Sequence, residues 1–140
     1  MTEKFKVLAK YIKDMSSETP DIETFIFVKD NISKYQLNID ITSRALKNKL
    51  IEVNTTLKFE DNQPSEKKSY YEIVYATIIK VDDDVKEKKE LEKIILSDLQ
   101  IKIYSDLEKA LLDLLHNSGY PGIKFEKKID FENLYNQRFN

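Results

Sequence analysis

The chain has 140 residues, of which 34% are charged, yet its formal net charge is only −2. Both signs are interspersed along the sequence, which argues against a nucleic-acid partner, because that partner requires a clustered basic surface. The sequence contains no cysteine and a single histidine, so it offers no disulfide framework, no thiol chemistry and no zinc ligand set. The length predicts a single domain, residues 1–140.

No segment has the apolar length of a membrane span, which is roughly 20 residues. The first ten residues, MTEKFKVLAK, lack the apolar core of a signal peptide. We therefore expect a cytoplasmic protein that does not insert into membranes.

Apolar and polar side chains alternate with period two in several stretches, and this alternation predicts four β-strands at residues 5–13, 35–42, 50–59 and 69–81. The polar stretch 14–20 predicts a turn, and the aromatic run 25–28 predicts a brief strand or an ordered loop. The turn formers at 61–65, DNQPS, predict a hairpin between the last two strands. Short connections favour an antiparallel sheet.

The last of these strands is apolar on both of its faces. One face carries tyrosine, isoleucine, threonine and valine throughout, and only Glu72 and Lys80 interrupt the other. A strand with one solvated face should be polar on that face. The second apolar face therefore predicts contact with another subunit or with a client polypeptide.

Beyond residue 81 the period changes to that of helices. Asp84 and Glu87 have the spacing of a capping box and predict the start of one helix; Ser105 and Glu108 predict the start of a second, leucine-rich helix. Gly119 predicts the end of that second helix, and Asp130 predicts the N-cap of a last, short one. The fold class that follows is α+β, with a four-stranded antiparallel sheet followed by C-terminal helices.

The residues of enzyme chemistry are missing. His116 has no second histidine or cysteine to complete a metal site, and the acids at 82–84 lack the glycine and glutamate of a calcium loop. The sequence has no phosphate-binding glycine loop and no recognisable nucleophile setting. We therefore predict a protein that is not an enzyme and has no cofactor.

Several short motifs, in the same order, resemble the SecB protein-export chaperones. The run YIKDMSSETP at 11–20 is similar to the end of that family's first strand, and FVKD at 27–30 and LNID at 37–40 are similar to its next segments. IEV at 51–53, YEI at 71–73, YP at 120–121 and IDFENLY at 129–135 continue the resemblance to the C-terminal part of the chain. The ordered set covers nearly the whole sequence.

The resemblance implies a function that the composition allows. SecB proteins are bacterial cytoplasmic holdases that bind unfolded preproteins in long apolar grooves and pass them to the SecA ATPase. They assemble as homotetramers, each a dimer of dimers, and use no nucleotide or metal of their own. An unfolded client offers scattered apolar side chains, so its binding needs apolar area rather than a catalytic site.

The resemblance also implies roles for individual residues. Positions that the family uses against SecA correspond to Asp14, Glu18 and Glu72. The client-binding groove would include Phe25, Phe27, Tyr35, Leu37 and Ile39. The leucine-rich helix carries more apolar surface than one sheet face covers, and the family places helices at the junction between dimers. The predicted oligomer interface is therefore Leu107, Leu111, Leu112, Leu114 and Leu115.

The same residues are also compatible with simpler or narrower roles. The acidic residues could be ordinary surface carboxylates, and the alternating apolar residues could simply form the core. A SecB-like chaperone dedicated to one client, such as an antitoxin, would need no SecA step. A structural oligomeric α+β domain would use the second apolar strand face only as a subunit interface.

Overall fold

The computed structural model describes residues 4–62, 67–125 and 129–139. Its strands are β1 (Phe5–Glu18), β2 (Gln36–Ala45), β3 (Leu50–Glu60) and β4 (Tyr70–Val81). Its helices are α1 (Ile22–Asn31), α2 (Lys88–Lys93), α3 (Leu99–Asn117) and α4 (Phe131–Phe139), with a π-helical turn at Ile94–Asp98 between α2 and α3. The predicted α+β class is confirmed.

The four strands form one sheet in the order β1-β4-β3-β2, and every neighbouring pair is antiparallel. β3 and β4 are therefore the central strands, and β1 and β2 are the edges. The predicted hairpin loop between β3 and β4 at 61–65 is described only as far as Asn62, so its remaining residues lie outside the described part of the chain.

The core lies between one face of the two central strands and helix α3. The strand residues on this face are buried, including Leu57 on β3 and Ile73 and Ile79 on β4, each with no exposed surface. Helix α3 contributes side chains at helical spacing that are equally buried: Leu99, Ile103, Leu107, Leu111 and Leu115. This is the helical periodicity of a single buried stripe.

β1 is longer than predicted. Residues 14–18 continue the strand rather than turn, because they pair with the first half of β4; Ser16 lies opposite Glu72 and Glu18 opposite Tyr70. The pairing shifts register at Leu8 and at Lys13, as β-bulges do. The polar composition that predicted a turn is that of an exposed edge strand, and Pro20 follows its end.

The prediction of a short strand or loop at 25–28 is wrong, because this run lies within helix α1. The Asp21 carboxylate caps the helix by accepting a hydrogen bond of 2.7 Å from the Thr24 backbone N–H. Thr24 and Val28, four residues apart, are buried on the same face. Aromatic and β-branched residues indicated a strand, but the N-cap and tertiary packing decide the local structure.

Neither predicted capping box starts a helix. The helical conformation begins at Lys88 and continues through 117 without a break at Ser105, which lies on the exposed surface of α3. Capping-box spacing also occurs by chance on exposed helix faces, and no helix breaker precedes Ser105. The end of the helix at Gly119, which has φ of 111°, is confirmed, as is the cap of α4, where Asp130 accepts from the Asn133 N–H at 3.0 Å.

Two neighbouring leucines of α3 provide a test of this packing. Leu111 is fully buried, whereas Leu112 is half-buried on the outer side of the helix. Leu111→Ala should lower the free energy of unfolding by roughly 2–5 kcal/mol. Leu112→Ala should lower it by about 1 kcal/mol or less, as at surface positions. Urea denaturation of both variants makes the comparison, and equal losses would contradict the assigned helix orientation.

Candidate functional site

A cavity with both apolar and polar lining residues lies beside edge strand β2, on the same side of the sheet as α3. It has a volume of about 740 Å³. One wall is formed by Ile32 and Ser33, which follow α1, and the other by residues 123–125, which follow the end of α3. The sheet contributes the side chains of Tyr35, Gln36, Leu37 and Phe59.

A second, smaller cavity of about 220 Å³ follows farther along the same strand. Ile39 and Ile41 of β2 form its floor, and Leu96, Phe131 and Tyr135 enclose it from the helical side. Leu37, Ile39 and Ile41 lie at alternate positions and therefore share this face of β2. We call the two cavities together the β2 groove.

The outer edge of β2 is open along this groove. β3 is its only strand neighbour, and the backbone hydrogen bonds of the described residues include none to the outer edge of β2. The Leu46 N–H donates to the Leu50 carbonyl at 2.8 Å, so these two residues form a hydrogen-bonded pair at the end of the β2–β3 ladder. Hydrogen-bonded and non-hydrogen-bonded pairs alternate along an antiparallel ladder, and the odd-numbered residues of β2 therefore occupy the non-hydrogen-bonded positions. Leu37, Ile39 and Ile41 therefore direct their backbone N–H and carbonyl groups outward, next to the groove that their side chains line.

Aromatic rings form the floor of the larger cavity. The Phe59 ring lies 5.4 Å from that of Tyr35 and 5.6 Å from that of Phe125, measured between centroids. The Tyr35 hydroxyl accepts a hydrogen bond of 3.1 Å from the Ser69 N–H, and burial raises the pKa of this hydroxyl. The floor therefore consists of aromatic rings, and the hydrogen bond from Ser69 satisfies the Tyr35 hydroxyl and fixes that ring next to β4.

The two predicted groove residues on α1 lie elsewhere. Phe25 packs against Tyr120, with ring centroids 5.5 Å apart, and Phe27 points outward with 40% of its surface exposed. Neither lines the cavities beside β2, whereas Tyr35 and Leu37 line the larger one and Ile39 the smaller. The structure thus brings three of the five predicted groove residues together.

The three predicted acidic residues lie on the opposite face of the sheet, which no helix in the described part of the chain covers. Asp14 is opposite Val74, and Glu18 is opposite Tyr70, so both flank Glu72 diagonally on adjacent strands. Asp14 and Glu18 are exposed, and Glu72 lies 3.8 Å from the Lys58 ammonium. We call these three carboxylates the acidic patch.

A buried carboxylate, Glu52, joins three strands on this open face. It accepts hydrogen bonds from the Asn54 amide at 2.9 Å, from Lys13 of β1 at 3.2 Å and from Arg44 of β2 at 3.2 Å. The bonds from Asn54 and Lys13 lower its pKa, with Arg44 adding to the effect. Glu52 therefore stays ionised at neutral pH and links both edge strands to β3.

Three of the five leucines predicted for an oligomer interface are not accessible to a second subunit. Leu107, Leu111 and Leu115 are buried in the core of this chain, because helix α3 begins well before Ser105 and turns this stripe toward the sheet. Leu112 and Leu114 are half-buried. A third cavity, about 460 Å³, lies along the outer side of α3 between Ile101 and His116 and includes Leu112.

Two parts of the groove could not be recognised from the sequence. The wall at Ile123 and Phe125 follows a glycine and proline turn, which indicated only the end of a helix. Helix α1, whose continuation forms the other wall, was not recognised as a helix. The signal that could have identified α1 is Asp21 directly after Pro20, three residues before Thr24.

Comparisons with known proteins agree with the resemblance seen in the sequence. The family model described as "Preprotein translocase subunit SecB" matches residues 1–140. A SecB relative from Pelagibacter ubique (strain HTCC1062) is 62% identical over all of both chains. The protein-export protein SecB of Mesorhizobium japonicum is 23% identical over 94% of this chain and 77% of its own length.

Two solved structures share the fold. A SecB-like chaperone of Mycobacterium tuberculosis, in complex with a peptide from the HigA1 antitoxin, superposes with a TM-score of 0.62 at 10% identity, covering 89% of this chain and 91% of that one. A protein of unknown function from Streptococcus agalactiae gives 0.51 at 8% identity, covering 92% of this chain and 100% of its own. No helix in the described part of the chain combines the length and apolar composition needed to cross a membrane.

The hydrogen bonds to Glu52 predict a specific acid dependence. Because the folded state lowers the pKa of Glu52, its contribution to stability is complete above the unfolded pKa, near 4.5, and is lost as the pH falls through the lower folded value. Glu52→Gln should therefore show a smaller loss of stability between pH 6 and 3, as measured by urea denaturation. Glu92→Gln, a change on helix α2, is the control. An acid dependence that is the same in the wild type and in Glu52→Gln would contradict this role.

Proposed function

The chain belongs to the SecB family of protein-export chaperones, and from this premise we propose that it holds unfolded preproteins in the β2 groove and delivers them to the SecA ATPase. The family is non-enzymatic. Membership of the family implies that the chain binds preprotein clients. The proposal adds three points: the client binds in the β2 groove, SecA receives the client, and the chain assembles into a homotetramer.

The observation that carries the client-binding part is the combination of a groove floored by aromatic and aliphatic side chains with an open strand edge. A client in extended conformation would place alternate side chains against Leu37, Ile39 and the aromatic floor. Its backbone would pair with the outward N–H and carbonyl groups of β2. Backbone pairing does not depend on client sequence, and apolar contacts depend on it weakly, which suits a chaperone with many clients. Binding of the unfolded chain opposes its folding by mass action alone.

The acidic patch supports the SecA step. Asp14, Glu18 and Glu72 lie on the open face of the sheet, away from the groove, so a partner could bind there while a client is held. These exposed carboxylates would attract a basic surface on a partner. Because physiological salt screens exposed charges beyond about 8 Å, binding at this patch should weaken as the salt concentration rises. We assign SecA to this face.

Exposed apolar residues support assembly into a homotetramer, a dimer of dimers. Edge strand β1 exposes Leu8, Tyr11, Ile12 and Met15, each by 45–51% of its surface. Helix α3 adds Ile101, which is 59% exposed, and the half-buried Leu112, both of which line the cavity on its outer side. Closed two-fold symmetry would cover each patch with its own copy. The two separate patches would supply the two kinds of contact that a dimer of dimers needs.

Replacing Leu37 and Ile39 with serine should weaken client binding without unfolding the chain. Both side chains are half-buried in the groove. The affinity for an unfolded preprotein should fall at least about tenfold, which corresponds to ~1.4 kcal/mol. Calorimetry with a reduced, unfolded preprotein measures the affinity, and thermal unfolding measures the stability.

The matched control for this test changes the same strand on its other face, as Asn38→Ser with Thr42→Ser, because neither residue lines the two cavities. These positions point away from the groove and should leave the affinity unchanged. A large loss of thermal stability in the Leu37 and Ile39 variant would show instead that these residues are core. An unchanged client affinity in a folded variant would contradict the groove assignment.

Reversing the charge of Asp14, Glu18 and Glu72 to lysine should abolish SecA binding while client binding and the tetramer persist. The control reverses three exposed carboxylates elsewhere, Asp30, Asp98 and Glu132, and so makes the same change in net charge. Surface plasmon resonance against SecA from the same organism measures binding at low and moderate salt. Light scattering measures the assembly.

Two results would overturn parts of this proposal. Wild-type protein that fails to bind SecA at low salt would remove the delivery step and favour a chaperone dedicated to particular clients; the mycobacterial neighbour was solved in complex with a peptide from one antitoxin. A monomer at every accessible concentration would remove the tetramer.

A further inference from the structure

The segments that carry the two walls of the larger cavity are in contact where helix α1 meets the end of α3. Gly119 has φ of 111°, and the Phe25 ring is so close that a Cβ atom on Gly119 would lie 2.6 Å from its Cε2 atom. The same ring stacks on Tyr120 with an interplanar angle of 30°. We call Phe25, Gly119 and Tyr120 the aromatic lock.

Each wall of the groove continues directly from one side of this lock. Helix α1 carries Phe25, and the short helix Ile32–Lys34 that follows it supplies the first wall through Ile32 and Ser33. Tyr120 begins the turn in which the Ile123 N–H donates to the Tyr120 carbonyl at 3.3 Å, and residues 123–125 then form the second wall. The contact between Phe25 and Tyr120 therefore links the two segments that carry the walls.

The lock is also fixed to the floor of the groove. The Tyr71 hydroxyl donates to the Tyr120 hydroxyl at 3.3 Å, and their rings meet edge to face with centroids 6.0 Å apart. Tyr71 in turn lies 6.5 Å from Phe59, which forms the floor. A continuous set of ring contacts thus runs from the lock to the floor of the groove.

We propose that the aromatic lock sets the width of the β2 groove and thereby determines which client side chains enter it. In this proposal Phe25 is a positioning residue rather than a client contact, and Gly119 provides the space in which its ring sits. A groove of fixed width accepts one size of side chain better than another, which makes the chaperone selective among apolar segments. This proposal rests on the proposed function, since it concerns the same groove.

The width can be measured directly because the chain contains no cysteine. Ser33→Cys and Lys124→Cys place one spin label on each wall, and assembly with excess unlabelled chain restricts the measured distance to one subunit. In this background Gly119→Ala should displace Phe25 and lengthen or broaden the distance distribution, and Phe25→Ala should do the same without backbone strain. Gly122→Ala is the matched control, because no atom lies within 4 Å of its added Cβ.

Selectivity is the second readout, measured in the unlabelled chain. Two unfolded peptides of equal length and charge, one rich in phenylalanine and tyrosine and the other in valine and alanine, are titrated separately. The ratio of their affinities should change by about tenfold in Gly119→Ala and Phe25→Ala, and should stay as in the wild type in Gly122→Ala. If Phe25 and Gly119 only stabilised the fold, the two variants would lower the affinity for both peptides by the same factor.

The outcomes separate the two proposals. Failure of the wild type to bind either peptide would overturn the proposed function, while the label distance would still test the lock. Peptide binding in the wild type, with the same distance and affinity ratio in folded Phe25→Ala, would overturn the lock and leave the proposed function standing. If Gly119→Ala does not fold, Phe25→Ala decides the question alone.

Discussion

The stripe of Leu107, Leu111 and Leu115 on α3 packs against the two central strands, and the rest of the molecule follows from the dimensions of that contact. Four strands about 4.8 Å apart make a sheet roughly 19 Å wide, whereas a helix with its side chains is about 10–12 Å across. A single helix therefore covers β3 and β4 and leaves the edge strand β2 uncovered on the same face. The groove is the uncovered part of the sheet, enclosed by shorter segments. A second helical layer would close it.

Packing a helix so closely over the sheet brings polar groups into the core, and Gln100 is one whose side chain finds its hydrogen-bond partners there. Gln100 is buried, its amide donates to the Ile95 carbonyl at 3.0 Å, and its side-chain oxygen accepts from the Thr55 hydroxyl on β3 at 3.0 Å. The π-helical turn at Ile94–Asp98 adds one residue to the helical repeat just before Gln100, which changes the direction in which the preceding residues face. Leu96 can then line the smaller cavity while Leu99 and Ile103 face the core. Through Leu96 the π-helical turn contributes to the groove, and α3, which follows it, packs on the core.

Period-two alternation predicted all four strands, because the two faces of a strand differ in burial and the side chains on them therefore differ in polarity. The short connections between the strands predicted the antiparallel sheet. Local signals failed where tertiary contacts decide the structure. Residues 14–18 have the composition of a turn, yet pairing with β4 keeps them extended; residues 25–28 have the composition of a strand, yet Asp21 caps them into a helix. At the site, the family resemblance predicted that Tyr35, Leu37 and Ile39 share one groove, and the period-two alternation predicted that they share one face. The lock could not be predicted, because Phe25 and Gly119 are distant in sequence and only the folded chain brings them into contact.

The pairing of β1 with β4 has a consequence for how this protein is made. β1 is the first strand to leave the ribosome, but its partner is the last strand of the sheet, and both strands in between are complete before β1 can pair. Such pairing between distant segments forms slowly. Until β4 emerges, β1 is an unpaired nascent segment, and its Phe5 side chain, which is buried in the folded chain, is still uncovered. An apolar unpaired segment is the kind that a holdase captures. During synthesis, a new copy of this chain would therefore be a potential ligand for copies that have already folded.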